Sequence, residues 1–402
     1  MDEVTTPVGF ARYGALFRVP QTRRLILSGL LARMPIGMVP LSLILVIRES
    51  GAGFAVAGSV SGAYFVAAAI GAPIAGRLVD RRGATRLLLM RAAVVPALLL
   101  AVGGLALADA PVLAIAASAA LAGALLPPVG SALRSLWPRL LTGKELLSSA
   151  YALEASLLEI VFVVGPALVA LLAAVASPVV AIVVAAAACG IGTAVFALTP
   201  AMRAWQPEEE RHATSIFGAL ESPGVRTVVL FATFCGLAFG GTEVGMPGFA
   251  EARGAVELGG IPLALFAAGS LVGGLVAGAR TVGHPLRLLR LSAALLVVGL
   301  ALPLLATSLA MLSVLAFVAG LPIAPAFTAT FGLVDHVAKR GTAAESFAWI
   351  GTAISTGIAV GTAAGGALID VSGPRAAFAF GVGGAFLAAI LAAFGPGLEE
   401  RL

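Results

Sequence analysis

The stretch AGRLVDRRGATR, residues 75–86, carries five charged side chains in a chain that is otherwise strongly apolar. Hydrophobic residues make up 60% of the 402 residues and charged residues 11%. Because clustered charges need water or a partner to be stable, we expect this stretch at the end of an apolar element and not inside one. The charged residues are Arg77, Asp80, Arg81, Arg82 and Arg86.

The apolar segments around this stretch have the length of membrane-spanning helices. A helix rises about 1.5 Å per residue, so a hydrocarbon core about 30 Å thick takes roughly 20 apolar residues to cross. With a mean hydropathy of +1.05, the sequence predicts an all-α membrane protein with twelve transmembrane helices. The predicted spans are 25–47, 54–79, 86–108, 111–136, 148–175, 178–199, 225–249, 260–280, 287–308, 310–334, 344–369 and 375–395.

A single long polar link predicts how these helices are grouped. The link, PAMRAWQPEEERHATSIFGALES, follows the sixth predicted span, whereas most other loops are only a few residues long. We therefore expect an N-terminal six-helix bundle at 1–199, a cytoplasmic linker at 200–222 and a C-terminal six-helix bundle at 223–402.

Basic residues predict the orientation, because short cytoplasmic loops are enriched in Lys and Arg. With the N-terminus inside, the inner segments hold 21 of the 25 basic residues, Arg91 and Arg134 among them, the outer segments hold three, and Arg33 is left inside a helix. We expect a multi-pass protein of the bacterial inner (cytoplasmic) membrane with both termini in the cytoplasm. The net charge of +5 is then a topology signal, and no nucleic-acid partner is expected.

The order of residues in the opening stretch carries more information than its charge. Gly76, Leu78, Asp80, Arg81 and Gly83 resemble the G-x-L-x-D-R-x-G signature of the major facilitator superfamily, at the turn between the second and third helices where that family carries it. The helix count and the six-plus-six division resemble the same family. The resemblance implies the major facilitator fold, transport by alternating access, and a gating loop that also includes Arg86.

The chemistry of this loop can be stated from its residues. Gly76 lets two helix ends approach closely, and Gly83 permits a tight turn with a positive φ. Asp80 can accept hydrogen bonds from the exposed amides at the start of a helix in the other bundle. The resemblance assigns that partner to the eleventh helix, where Thr342 and Glu345 have capping-box spacing. The loop would then hold the cytoplasmic side shut.

The fifth helix carries a second resemblance. Gly165 and Pro166 are similar to the Gly-Pro of the family's antiporter motif, which is found mainly in exporters. Since proline bends a helix, we expect this bend to pack the fifth helix against the eighth, which has glycines at small-residue spacing. The glycine series of the eleventh helix is expected to face the second. These glycines are Gly269, Gly273, Gly274 and Gly278 of the eighth helix and Gly357, Gly361 and Gly365 of the eleventh.

Charges inside the predicted spans are the candidate substrate or proton sites, since each costs about 3 kcal/mol at a helix centre. Arg33 lies about 12 Å from the inner end of its helix, and Glu154 and Glu159 about 9 and 17 Å. Depth predicts an ion pair of Arg33 with Glu154 or Glu159, and favours Glu159 as the acid that faces the cavity. The pair is either permanent and structural, or a site whose protonation changes as the cavity opens to either side.

Glu243 lies farther along its helix, about 27 Å from the inner end. It follows two glycines and precedes Pro247, so we expect the seventh helix to be broken beside it. There it could bind a cationic substrate or a proton, or it could be a hydrogen-bonded residue at the outer helix end.

Prolines predict which helices line the cavity. Pro127 and Pro128 in the fourth helix and Pro322 and Pro325 in the tenth are expected to interrupt cavity-lining segments. Many proton-coupled exporters of this family carry an arginine inside the fourth helix. None is assigned there, and Arg33 is the candidate to take that place.

Motifs for other chemistry are not found. The chain has no G-x-x-x-x-G-K-[ST] and no Cys/His cluster with metal-ligand spacing, so we expect no cofactor, no metal and no enzymatic activity. The sequence predicts a monomeric secondary exporter of small hydrophobic or amphipathic compounds in the lipid bilayer, coupled to protons by antiport. The alternatives are a proton-linked importer or uniporter of a small nutrient, and a non-transporting membrane sensor.

Overall fold

Twelve helices in the described part of the chain are long and apolar enough to cross a membrane. The computed structural model describes residues 9, 11–51, 54–205, 218–255, 258–279 and 284–399, without the side chains of residues 54, 55, 58 and 159. All regular elements of these residues are helical. The predicted all-α fold with twelve membrane-length helices is confirmed.

The helices follow one another along the chain with short connections. Those of the first half are α1 (Ala11–Arg18), α2 (Thr22–Glu49), α3 (Phe54–Arg82), α4 (Ala84–Leu107), α5 (Val112–Ala124), α6 (Val129–Leu140), α7 (Lys144–Val175), α8 (Pro178–Ala197) and α9 (Pro200–Arg203). Those of the second half are α10 (Pro223–Glu251), α11 (Gly260–Ala279), α12 (Pro285–Ala301), α13 (Leu309–Gly320), α14 (Ile323–Val337), α15 (Ala343–Ser372) and α16 (Pro374–Phe394). The fourth span consists of α5 and α6, and the tenth of α13 and α14.

The fourth and tenth spans are interrupted as predicted, although Pro325 lies inside α14 and not at the break. Pro127 and Pro128 lie between α5 and α6, and Pro322 lies between α13 and α14. Since proline has no backbone N–H, carbonyls near such breaks lose their helical partners. At the first break, Arg91 Nη1 donates to the carbonyl oxygen of Leu126 over 2.7 Å. Arg91 is therefore a buried residue of α4, and its assignment to an inner loop was wrong.

Glycines determine where helix backbones meet, and only some of their partners are those predicted. A Cβ at Gly357 of α15 would lie 2.3 Å from the carbonyl oxygen of Thr233 in α10, so this glycine series faces α10 and not α3. A Cβ at Gly165 of α7 would lie 2.8 Å from the carbonyl carbon of Gly37 in α2. Gly165 therefore faces α2. The predicted packing of the fifth helix on the eighth is present all the same, since α7 packs on α11 and the Cβ position of Gly278 lies against Ala152 of α7. Small-residue spacing predicts a close approach without naming the helix that approaches.

The two halves meet through a limited set of helices. Across the halves, α3 packs on α15, α6 on α15, and α7 on both α11 and α14. Within the halves, α2 packs on α8, and α10 on α15 and α16. The division at 1–199, 200–222 and 223–402 stays a prediction, and residues 206–217 of the linker lie outside the described part.

We expect Gly71→Ala to lower the melting temperature of the purified protein by about 5 °C or more. A Cβ at Gly71 would lie 2.0 Å from the carbonyl oxygen of Ala124, and a backbone oxygen cannot rotate away. Gly62→Ala on the same helix is the matched control, because no heavy atom lies within 4 Å of its Cβ position. Unfolding is followed with a thiol-reactive dye, which reports the exposure of the buried Cys189 and Cys235. Equal melting temperatures for the two variants would contradict the contact between α3 and α5.

Candidate functional site

A cavity of about 530 Å³ lies between the two halves. Its size is in the range of small-molecule binding sites. Helices α6 and α7 of the first half and α10, α11, α14 and α15 of the second half form its wall, which is mostly aliphatic and aromatic. The lining residues are Arg134, Ala155, Leu158, Phe162, Val163, Phe239, Glu243, Leu263, Ala264, Phe266, Ala267, Ser270, Ile323, Ala324, Phe327, Phe331, Ile350, Gly351, Ile354 and Ile358.

Four phenylalanines form one side of this cavity. The ring centre of Phe239 lies 6.4 Å from that of Phe266 and 6.1 Å from that of Phe327. Phe327 stacks on Phe331 with 6.3 Å between ring centres. Aromatic side chains offer a large apolar contact area with defined geometry, so this wall suits the apolar part of a ligand.

The ion pair predicted for Arg33 is present, and its partner is Glu154. Nη1 of Arg33 lies 3.1 Å from Oε2 of Glu154, and Nη2 lies 2.9 Å from Oε1. Both side chains are almost fully buried, at 5% and 1% exposure. Arg33 Nε also donates to the carbonyl oxygen of Gly29, so the pair firmly joins α2 to α7. The side chain of Glu159 lies outside the described part of the chain, and its role as the cavity-facing acid stays a prediction.

Arg134 lies in the cavity, although the sequence counted it only among the basic residues of the inner segments and did not predict a place in the cavity. It belongs to α6, is 8% exposed and lines the cavity. Its guanidinium carbon lies 4.3 Å from the ring centre of Phe331. The fourth span therefore does carry an arginine, and Arg33 need not take that place. The sequence contained the clue, because residue 134 falls inside the predicted span 111–136.

Glu243 lines the same cavity and is half-buried. It lies on α10, which continues without a break from Pro223 to Glu251 although Pro247 lies inside it. The predicted break beside Glu243 was therefore wrong. Its place on α10, about 20 residues or 30 Å beyond Pro223, puts it at the far end of the cavity from the basic loops.

The end of the molecule where the basic loops lie, here called the basic side, is closed by contacts between the halves. There Asp80, Arg139, Lys339 and Arg340 border one small cavity. Asp80 of the gating loop contacts the start of α15. Its Oδ1 accepts a hydrogen bond from the backbone N–H of Ala344 over 3.1 Å, and its Oδ2 one from Glu345 over 2.8 Å. We call this contact the latch.

The glycines of the gating loop have the geometry that the sequence predicted. A Cβ at Gly76 would lie 2.6 Å from the carbonyl oxygen of Ala344, so α3 can approach α15 this closely only with glycine. Gly83 has φ 82°, a left-handed conformation that favours glycine. Arg81 and Arg86 are exposed on the same turn.

The predicted capping box of α15 is not formed. Thr342 makes no side-chain cap, and its Oγ1 donates to the carbonyl oxygen of Lys339. Glu345 accepts a hydrogen bond from the backbone N–H of Ala219 instead. The first amides of α15 are capped by Asp80 from the other half, which explains why the local motif is unused.

Three more hydrogen bonds join the halves on the basic side. Tyr151 of α7 donates to Oδ2 of Asp335 in α14 over 2.6 Å. Ser149 donates to the carbonyl oxygen of Gly278 over 2.6 Å, and Tyr13 to that of Leu275 over 3.0 Å. The sequence did not predict the role of Asp335, because the predicted tenth span ends at residue 334 whereas α14 continues to Val337.

No group of three or more His, Cys, Asp or Glu residues that could hold a metal ion occurs among the described residues.

Comparisons with known proteins place this arrangement in a family. The family model of the Major Facilitator Superfamily matches residues 25–344. No curated protein matches the sequence. Solved structures are similar to this chain over 92% of its length and 98% of theirs.

Two kinds of transporter are among these structures. One is the human organic anion transporter MFSD10 (TETRAN), with a TM-score of 0.71 and 16% identity. Another is a bacterial homologue of the iron transporter ferroportin in its outward-facing state, solved twice, each time with a TM-score of 0.73. The identity is 14% for the structure with soaked iron and 15% for the other. At this identity the likeness shows the fold alone.

Removing one member of the ion pair should destabilise the protein more than removing both. We expect Arg33→Met and Glu154→Leu each to lower the free energy of unfolding by about 3–5 kcal/mol, because each leaves one charge buried without a partner. The double variant should lose much less than the sum of the two. Thermal unfolding of the four proteins, with the same thiol-reactive dye, gives the comparison. Additive losses would show that the two side chains do not depend on each other.

Proposed function

This chain belongs to the major facilitator superfamily, and we propose that it is a secondary active exporter of small hydrophobic or amphipathic compounds, coupled to proton entry. The family and the similar structures are transporters, and the fold supports a membrane transporter. The observation that carries the proposal is the apolar cavity of about 530 Å³ that both halves line, together with the contacts between the halves on its basic side.

Alternating access follows from where those contacts lie. The latch and the bond between Tyr151 and Asp335 are on the basic side, whereas the cavity extends toward Glu243 at the other end. Breaking the contacts of the basic side would let the two halves tilt and open the cavity there. Since basic loops face the cytoplasm, we propose that this side and both termini are cytoplasmic, in the inner membrane of a bacterium.

Proton coupling is proposed at the ion pair beside the cavity. Glu154 holds Arg33 through both carboxylate oxygens, and the next residue, Ala155, lines the cavity. A proton taken up by the carboxylate would neutralise it and break the pair, and Arg33 would then need another partner. Arg134 interacts electrostatically with both groups, so a change in the pair also changes the field in the cavity. Glu159 and Glu243 are further candidates for the proton site.

Export is favoured over import by Gly165 and Pro166, which are similar to the antiporter motif. Gly165 packs against Gly37 of α2, the helix that carries Arg33, so the motif and the ion pair join the same two helices. Counterflow in inside-out and right-side-out vesicles separates an exporter from an importer or uniporter. Ligand binding without flux in liposomes would instead support the sensor.

We expect a pH gradient, acidic inside, to drive substrate into proteoliposomes that hold the protein with its basic side outward. In Glu154→Gln and Arg33→Ala the rate of gradient-driven uptake should be at least about tenfold lower than in the wild type. Substrate exchange without a gradient should continue in both variants. Glu159→Gln and Glu243→Gln test the other two acids. Glu251→Gln, at the exposed end of α10, is the control. If all four variants respond to the gradient like the wild type, the coupling site is wrongly assigned.

Asp80→Asn should slow turnover more than it weakens substrate binding. In Asn one carboxylate oxygen is replaced by an NH2 donor, so one of the two N–H groups that Asp80 holds would face a donor instead of an acceptor. We expect kcat to fall about tenfold with little change in binding affinity, measured by counterflow and by equilibrium binding. Arg82→Gln, an exposed position of the same turn, should leave both unchanged. Unchanged turnover in Asp80→Asn would rule out a gating role for the latch.

A further inference from the structure

We propose that the substrates of the central cavity are amphipathic organic carboxylates, and that Arg134 binds their carboxylate group. The inference rests on the proposed transport function and narrows its substrate class.

The first observation is an unused hydrogen-bonding group. Arg134 is 8% exposed, and its Nε has no hydrogen-bond partner among the described residues. Phe331 covers a face of the guanidinium at 4.3 Å, but a ring over the face does not occupy the donors in the guanidinium plane. A buried polar group without a partner is costly, so this side chain is suited to a ligand that supplies acceptors.

Glu154, the acid that acts electrostatically on Arg134, is already engaged with another partner. Both oxygens of Glu154 are bound by Arg33, and Oδ2 of Asp335 accepts the hydroxyl of Tyr151. The three buried residues Arg33, Arg134 and Glu154 together carry a net charge of +1. An anionic ligand group would compensate this charge, and a planar carboxylate matches the fork of guanidinium donors.

The rest of the cavity determines what the carboxylate is attached to. Beyond Arg134 the wall consists of aromatic and aliphatic side chains, including Phe239, Phe266 and Phe327, which suit an apolar body and not a second charged group. Glu243 lies about 20 Å farther from the basic side if α6 and α10 run along the membrane normal. Its negative charge disfavours a carboxylate at that end, so the ligand is oriented with its acid group toward Arg134.

Binding of matched probes tests the charge preference. We would measure 4-(1-pyrenyl)butanoate, its neutral primary amide and 4-(1-pyrenyl)butylamine on the purified full-length protein in nanodiscs, with empty nanodiscs subtracted. The acid should bind at least about tenfold more tightly than the amide, and the amine most weakly. An acid that binds no better than the amide, or no binding by any of the three, overturns the proposal.

Variants test whether Arg134 causes the preference. In Arg134→Gln the acid and the amide should bind equally, at the affinity of the wild type for the amide, and Arg134→Lys should keep part of the preference. Arg91→Gln is the matched control, since Arg91 is also buried but is not among the cavity-lining residues and donates to the carbonyl of Leu126. It should keep the full preference. A tenfold preference that survives in Arg134→Gln overturns the role of Arg134. If Arg134→Gln binds neither probe, Arg134→Lys decides: a preference for the acid over the amide below about twofold then overturns the role of Arg134.

Flux measurements separate this inference from the proposed function. Acid binding without transport of any probe in proteoliposomes would contradict the exporter and leave the carboxylate site in place. Counterflow of the amide or the amine without that of the acid would contradict the carboxylate site and leave the exporter in place.

Discussion

Polar groups lose their water inside a membrane, so each must find a partner within the chain, and most of the described arrangement depends on this constraint. Arg33 and Glu154 satisfy each other and thereby join α2 to α7. Arg91 satisfies a carbonyl at the break of the fourth span. Asp80 satisfies the first amides of α15 from the other half. The few polar residues of an apolar chain thus determine which helices are neighbours at particular depths.

Contacts within a half differ in kind from those that close the basic side. Within the halves, backbones meet at glycines such as Gly37 with Gly165 and Gly236 with Gly357, and these contacts depend on close packing that water cannot replace. On the basic side the halves also meet at a glycine, Gly76 against the backbone of Ala344, but the other contacts described there are hydrogen bonds, whose groups can bind water once the halves separate. Each bond between neutral groups contributes about 0.5–1.5 kcal/mol net, and each bond to a carboxylate about 1.5–3 kcal/mol. Several of them can therefore break together while each half stays intact.

A contact between helices could be predicted from the sequence only where the pattern identified both residues or both helices. The spans followed from the lengths of apolar runs, and the contact of Asp80 followed from a motif with known geometry. The pairing of Arg33 followed from depth, which left two acids possible. The neighbours of Gly165 and Gly357 did not follow, since glycine spacing fits any helix. Arg134 and Asp335 were missed because each lies within a few residues of a predicted span end, where boundaries are least certain.

The two halves of the protein also differ in how well their residues in the latch tolerate mutation. In these contacts the second half contributes main-chain atoms, since Asp80 binds the N–H groups of Ala344 and Glu345 and Gly76 lies against the carbonyl of Ala344. Side chains can vary there without removing a donor, except for proline, which has no N–H. The first half depends on two particular residues, Asp80 for its carboxylate and Gly76 because it has no Cβ. These two hydrogen bonds therefore depend on the codons for Asp80 and Gly76, and substitutions in α15 other than proline can alter the cavity wall while the bonds are kept.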